Sequence, residues 1–412
     1  MIKAFFYNRI TGFYFFLIRV SSLFNSKAKK WVNGRKNLFR DLSEARAKFA
    51  GSRVVWFHCA SLGEFEQGRP VIESFRKKYP DFRIFLSFYS PSGYEIRKNY
   101  PGADYIFYLP ADTPTNACRL TEILKPEMAF FVKYEFWFNI LKELSDKNIP
   151  VYIISAIFRE NHYFFKWYSS WPRKMLRTIS WFFVQDSRSE KLLQNAGFSN
   201  VTLSGDTRFD RVYEVAKQKK TFPLIDAFCE RSRVFIAGSS WPEDESVYFP
   251  LIAQKVPGWK FIIAPHEINK ERIDKLIKTL PVPAIRFSGL DGKTISECDV
   301  LIIDTIGMLA YLYRFACIAL IGGGFRTGLH NILEAATFGI PVIFGPRYDK
   351  FNEARELIER GGAFSVRNRE EFLRIFQLLG EEEEYKKAAL TCHSYIEEKQ
   401  GATEKIMSHF QL

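Results

Sequence analysis

The chain has 412 residues, 47% of them hydrophobic, and a formal charge of +13; that length exceeds what one core sustains, so two domains of roughly 200 residues each are expected. Cysteines at 59, 118, 229, 298, 317 and 392 form no CxxC pair, and histidines at 58, 162, 266, 330, 393 and 409 form no HxxxH or HExxH set, which argues against a zinc site or a disulfide framework and for reduced, buried thiols in a cytosolic compartment. The positive charge calls for nucleic acid, an anionic membrane surface or an acidic substrate, and composition does not choose among them.

Residues 2 to 24, IKAFFYNRITGFYFFLIRVSSLF, are apolar and aromatic but carry Asn8, Arg9 and Arg19, and Lys27, Lys29, Lys30, Arg35 and Lys36 follow. A spanning helix needs about 20 apolar residues with few charges, and no small-residue cleavage site marks a signal peptide. The pattern predicts a membrane-associating segment over 1–35, lying in the headgroup region and held by insertion and by anionic lipid. A helix packed on the protein core is the alternative.

From Arg53 onward, short apolar runs alternate with helix-like segments: RVVWFHCA, FRIFLSFYS, ADYIFYLP, EMAFFVKY, PVYIISAIF, ISWFFVQD and NVTLSGD. Near-continuous apolar runs of this length signal a parallel sheet covered on both faces, so 36–213 reads as an open, Rossmann-like α/β domain. Residues 214–232 lose the alternation and read as a linker. It resumes in RVFIAGSSW, WKFIIAPH, AIRFSG, DVLIIDTIG, CIALIGGG and IPVIFGP, giving a second Rossmann-like domain over 233–412. The helical stretch from Glu370 to Phe410 closes it, its last helix a candidate to pack back on the first domain. The acidic run Glu381 to Glu384 reads as a solvated helix start. Two doubly wound domains facing a central cleft are the expected architecture, with ligands at the carboxyl ends of the strands.

Two motifs carry chemistry. In HCASLGEFEQGRP, residues 58 to 70, Ser61 to Gly63 make a tight strand-to-helix turn and Glu64 opens the helix. A carboxylate there is placed to take a proton from an acceptor hydroxyl, or merely to complement the positive helix end. In CIALIGGGFRTGLHNILEAATFGIPVIFGP, residues 317 to 346, Gly322, Gly323, Gly324 and Gly328 would let the backbone approach a phosphate. A helix opening at about His330 would offer N–H groups to the anion, and Glu334, one turn in, would accept from both ribose hydroxyls. The alternative is a tight turn beside a solvated Glu. The unit lacks the GKS or GKT of a Walker A loop and is not GxGxxG after a first strand.

At these residues the chain resembles the Kdo transferases, GT-B glycosyltransferases of family 30 in Gram-negative bacteria, which move 3-deoxy-D-manno-octulosonic acid (Kdo) from CMP-Kdo to a lipid A precursor. The resemblance runs over nearly the whole chain: SxGE at Ser61 to Glu64, SPSG at Ser90 to Gly93, Leu109 to Pro114, ExW at Glu135 to Trp137, GDTRFD at Gly205 to Asp210, GSSWPEDE at Gly238 to Glu245, IIAPHE at Ile262 to Glu267, DTIGML at Asp304 to Leu309, and HNILE at His330 to Glu334. It implies a GT-B fold, inverting displacement without a metal or resident cofactor, and a monotopic enzyme on the cytoplasmic face of the inner membrane, acting on lipid IVA in lipopolysaccharide core biosynthesis. Glu64 then corresponds to the base, Glu135 and Arg208 to transition-state stabilisers, and Pro265, His266, Ile306, Gly307, Met308, Asn331, Ile332, Leu333 and Glu334 to the CMP-binding set. The family's PRH is Pro265-His266-Glu267 here, its GE after the DT pair is Gly307-Met308, its ETELWPN is Lys133 to Asn139, and its Lys before FD is Arg208, which keeps the charge but not the geometry.

Other readings make different demands on the sequence. A GT-B enzyme using a UDP-sugar, whether a glycosyltransferase or a 2-epimerase, has no need of residues 1 to 24 or of the SxGE turn. A membrane-peripheral binding protein would leave both motifs without a purpose, and no nucleic-acid-binding signature is present.

Overall fold

The computed structural model describes residues 2–166, 170–218, 220–289, 298–326 and 328–411. The chain divides into two compact units, Met1–Arg211 with Gln400–Leu412, and Val212–Lys399.

Unit 1 is built on a parallel sheet of β1 (Val54–Cys59), β2 (Arg83–Phe88), β3 (Tyr105–Tyr108), β4 (Met128–Val132), β5 (Val151–Ala156), β6 (Trp181–Val184) and β7 (Val201–Leu203). Their order is β3-β2-β1-β4-β5-β6-β7. The apolar runs are continuous because both faces of the sheet are covered. Val54 and Trp56 of β1 join the core on one face, and Val55, Phe57 and Cys59 join the core on the other. Strand order reverses between β1 and β4, which pair in parallel through Trp56 and Ala129. A crevice forms outside the carboxyl ends of such strands, and ligands bind there.

Unit 2 repeats the plan with β8 (Arg233–Ser240), β9 (Trp259–Pro265), β10 (Ala284–Arg286), β11 (Val300–Ile302), β12 (Ile318–Ile321), β13 (Val342–Phe344) and β14 (Ala363–Ser365). The order β10-β11-β9-β8-β12-β13-β14 puts its reversal between β8 and β12.

The structure refines the sequence reading in several places. The segment expected as a linker carries the end of one helix, Thr207–Lys217, and the whole of another, Pro223–Cys229, the second opened by a proline at its first turn, where the missing N–H costs nothing. Residues 400–412, placed by sequence in the second domain with a last helix that could pack back on the first, belong to unit 1. There Asp210 accepts from the Gly401 and Thr403 amides, each at 2.6 Å, and Phe410 packs against Phe130 and Tyr152. The thiols were expected to be buried, but only Cys59 and Cys392 are; the other four are half-buried.

The N-terminal helix Ile2–Ser21 turns Tyr7, Asn8 and Phe15 inward. The Tyr7 hydroxyl donates to Asp112 at 2.6 Å, Asn139 donates to Asn8 at 2.9 Å, and Phe15 stacks on Trp31. Among the described residues no helix is long and apolar enough to cross a membrane.

Candidate active site

In unit 1, β1 ends at Cys59, Ser61 is the extended N-cap residue, and the helix Leu62–Lys78 follows. This brings Glu64 over the carboxyl edge of the sheet at its reversal point. The side chain is buried, and Oε2 accepts from the Ala60 amide at 2.5 Å. Glu64 thus closes its own helix start, the role expected of a purely structural carboxylate, but burial and the nearby Glu135 push its pKa up to about 8, against the pull of the Ala60 and Ser61 amides and of Lys133. A carboxyl group that exchanges its proton near pH 8 is suited to proton transfer in a way an ordinary glutamate is not.

Glu135 stands in the loop after β4. Trp137 Nε1 donates to its Oε2 at 2.9 Å, and the buried His58 at the end of β1 brings Nε2 to 3.7 Å from that oxygen. Lys133, immediately after β4, adopts the left-handed conformation with φ +66°, a position costly for a residue with a Cβ and often found near functional sites.

Arg208 opens the helix Thr207–Lys217 and is held by Asp206. Its Nε donates to Oδ2 at 2.8 Å and its amide to Oδ1 at 2.9 Å, while Gln67 donates to Oδ1 at 3.1 Å. Burial alone would raise the Asp206 pKa, but the Arg208 charge and hydrogen bonds outweigh it and hold the carboxyl below its usual range. Breaking a largely buried pair leaves an uncompensated charge. Arg208→Ala should therefore cost about 3 kcal/mol of stability in addition to activity. Arg208→Lys should restore part of both, as followed by thermal unfolding alongside turnover.

In unit 2 the predicted residues gather at the carboxyl ends of β8, β9, β11 and β12. Pro265 is buried and His266 exposed beyond β9. After β11, Ile306 is 81% exposed, Gly307 has φ +86°, and Met308 is buried with its sulfur accepting from Thr305. Asn331 donates to Glu334 Oε1 at 3.1 Å, and Ile332 and Leu333 are buried. Imidazole rings form a stack that the sequence did not reveal: His266 lies 4.5 Å from both Trp241 and His330, centroid to centroid, and Trp241 Nε1 donates to His330 Nε2 at 3.2 Å. Burial, then His266, brings the His330 pKa down to about 4, and burial lowers that of His266. Both rings are neutral at pH 7, so they act as hydrogen-bonding and stacking groups. The sequence signal was Trp241 itself, the first residue past β8.

The glycine turn departs from its expected use. The Gly322 amide donates to Gly238 O, Gly323 to the buried Asp244, and Gly328 to Gly323 O. The helix expected from His330 is a single turn, Leu333–Ala336. The amides of 322, 323 and 328 are therefore spent inside the protein, and the glycines are needed for close packing. A Cβ on Gly322 would lie 2.2 Å from Ser239 O, and one on Gly324 would lie 2.6 Å from the Gly345 amide. Gly323 at φ +91° and Gly328 at φ +149° have backbones that side chains rarely adopt. Gly322→Ala should lower the melting temperature of the chain by several degrees, an overpacking cost of roughly 1–3 kcal/mol. An unchanged melting temperature would show that the turn relaxes freely.

Comparison with known proteins adds to this geometry. Residues 34–211 match the family model described as 3-deoxy-D-manno-octulosonic-acid transferase (kdotransferase), and the 3-deoxy-D-manno-octulosonic acid transferase of Aquifex aeolicus is 27% identical over 342 residues, covering 81% of this chain and 88% of that one. Residues 34–211 therefore carry a Kdo transferase domain, and the chain is a glycosyltransferase. The bifunctional glycosyltransferase/methyltransferase of Fusobacterium nucleatum is 25% identical over 86% of this transferase, which spans only 56% of that longer relative. Among solved structures, UDP-GlcNAc 2-epimerase from Neisseria meningitidis superposes with a TM-score of 0.63 at 20% identity, covering 86% and 98% of the two chains. MurG from Acinetobacter baumannii does so at 0.55 and 12%, also over 86% and 98%. At those identities the likeness concerns the fold alone: two parallel-sheet α/β domains of the GT-B type.

Proposed function

We propose that this transferase moves Kdo from CMP-Kdo to a lipid A precursor by an inverting displacement in which Glu64 is the general base. The reading is carried by one observation: a buried glutamate with a raised pKa at the β1/β4 reversal point, inside the segment that matches the family model. Glu64 takes the proton of an acceptor glucosamine hydroxyl as that oxygen bonds to the anomeric carbon of Kdo; the bond from that carbon to the CMP phosphate breaks, and CMP departs with the electron pair. Glu135, fixed by Trp137, and Arg208, fixed by Asp206, are assigned to the charge that develops in this step. In unit 2, the Trp241–His266–His330 stack with Met308, Asn331 and Glu334 is assigned to the cytidine nucleotide. Balancing this step requires no resident cofactor.

The acceptor is a phosphorylated lipid, and we assign the enzyme to the cytoplasmic face of the inner membrane. The support is the outward face of helix Ile2–Ser21, where Phe5, Phe6, Ile10, Phe13, Phe16 and Leu17 are exposed beside Arg9 and Arg19. The test of function is transfer from CMP-Kdo generated in situ to a tetraacylated lipid A precursor. Product supports the reading. A folded, CMP-binding chain that makes none would point to another sugar or acceptor, and absence of any cytidine-nucleotide binding would favour a UDP-sugar.

A further inference from the structure

His58 is fully buried in β1, between Trp56 and Phe131, and the mechanism above does not use it. Its Nδ1 lies 2.8 Å from Ser87 Oγ on the neighbouring strand β2, and the same oxygen accepts from Trp56 Nε1 at 2.8 Å. Indole is only a donor, so Ser87 spends one lone pair on Trp56 and keeps a second lone pair and one proton. Two acceptors compete for that proton: Phe57 O at 3.5 Å, which is at the limit of a hydrogen bond, and His58 Nδ1 at 2.8 Å. The 2.8 Å contact fits either direction, and the Glu135 carboxylate decides: an unprotonated Nε2 would set its lone pair against Oε2 at 3.7 Å, so Nδ1 accepts and the ring proton sits on Nε2. That atom is buried, has no hydrogen-bond partner among the described residues, and faces Glu135 Oε2 at 3.7 Å. A buried donor without a full partner is costly, and a shift of well under 1 Å would complete the bond to a carboxylate already gripped by Trp137.

We propose that His58 is a positioning residue for Glu135: the Trp56–Ser87–His58 string fixes the imidazole proton on Nε2 and aims it at the Glu135 carboxylate, setting where that carboxylate stands relative to Glu64. The proposal rests on the assignment of Glu64 and Glu135 to the reaction, yet the tautomer is testable without it.

The first measurement is the imidazole 15N spectrum of the full chain labelled at histidine, with His58 assigned by its loss in His58→Gln. An unprotonated Nδ1 and a protonated Nε2, reversed or averaged in Ser87→Ala, are expected. A protonated Nδ1 in the wild type overturns the proposal whatever the substrate proves to be. The second is turnover. Gln places an amide nitrogen near the position of Nε2 and Asn near that of Nδ1, so His58→Gln should hold kcat within a few fold. His58→Asn should lose at least tenfold, the order expected when a reacting group is displaced by a fraction of an ångström, with the KM for the donor unchanged and melting temperatures similar. Equal losses in both variants, or losses only in KM, would make His58 a packing residue. A wild type without transferase activity would remove the proposed function but leave the spectrum as the test.

Discussion

Glu64→Gln should lower kcat for Kdo transfer by about 10²–10⁴-fold, the range that a positioned general base supplies, while CMP binding measured by calorimetry stays within about twofold because the nucleotide contacts are assigned to other residues. Gln keeps the carbonyl that accepts from Ala60; Ala does not, so Glu64→Ala should match Glu64→Gln in activity but melt lower. The pH profile is the sharper readout. The base must be ionised and its pKa in the free protein is pushed up to about 8, so kcat/KM should rise with pH through an acid limb near 8 rather than near the ordinary carboxylate value. Because Glu135 contributes to that elevation, the limb belongs to the pair. In Glu135→Gln the like charge is gone, and the residual activity should show a limb shifted to lower pH. Stability runs the other way. A carboxyl group whose folded pKa lies above its unfolded value binds more protons when folded, so the chain loses stability as pH rises from the unfolded to the folded pKa. Glu64→Gln should thus be more stable than the wild type above pH 8, by roughly 1–3 kcal/mol. A profile with its acid limb near 4.5, and no stabilisation in Glu64→Gln, would make Glu64 a helix cap and nothing more.

How much of this was legible in the sequence follows from range. The two doubly wound sheets could be read because a strand covered on both faces must be apolar throughout: VVWFHC is buried at every position. Glu64 was legible because a strand, a tight turn and a helix are consecutive, so the chain itself carries the residue to the sheet edge. Its pKa is raised by burial and then by Glu135, which lies in the loop after β4, some 70 residues on, and no local pattern announces that neighbour. Asp206 and His58 were missed for the same reason: one is defined by Gln67 and Arg208, the other by Ser87 on a neighbouring strand. The glycine turn misled because composition shows only that the backbone comes close to something. Here that something is Ser239, Gly345 and Asp244, so the requirement for glycine is met by protein atoms. That the last helix could return to the first domain was legible, but the crossing point at residue 400 depends on Asp210 meeting Gly401 and Thr403, a pairing across 191 residues that hydrophobic periodicity cannot register.

Replacing Phe13 and Phe16 together by serine should weaken binding to vesicles containing anionic phospholipid by more than 100-fold, with the fold intact. The helix that carries them is fastened through its other side, by Tyr7 to Asp112, Asn8 to Asn139 and Phe15 to Trp31, so the outward residues contribute little to its docking. Phe13 is 62% exposed and Phe16 58%, beside Phe5, Phe6, Ile10 and Leu17, an apolar patch of a kind that soluble surfaces seldom carry without a partner. Taking a phenylalanine side chain out of water is worth roughly 1.5–3 kcal/mol, so losing two removes enough to account for the expected change. The basic residues make the second contribution. Arg9, Arg19, Lys27, Lys29 and Lys30 lie on or just after this helix, and each cation near an anionic surface adds about 1 kcal/mol within a screening length of roughly 10 Å. Lys27, Lys29 and Lys30 changed to Gln should therefore weaken binding at low salt and matter little at 0.5 M, whereas the phenylalanine effect should persist at both. Measured by flotation or surface plasmon resonance on the full chain, this crossed pattern separates insertion from attraction. Binding that survives the phenylalanine pair unchanged would mean that the helix face meets something other than lipid, and the assignment to the membrane surface would fall with it.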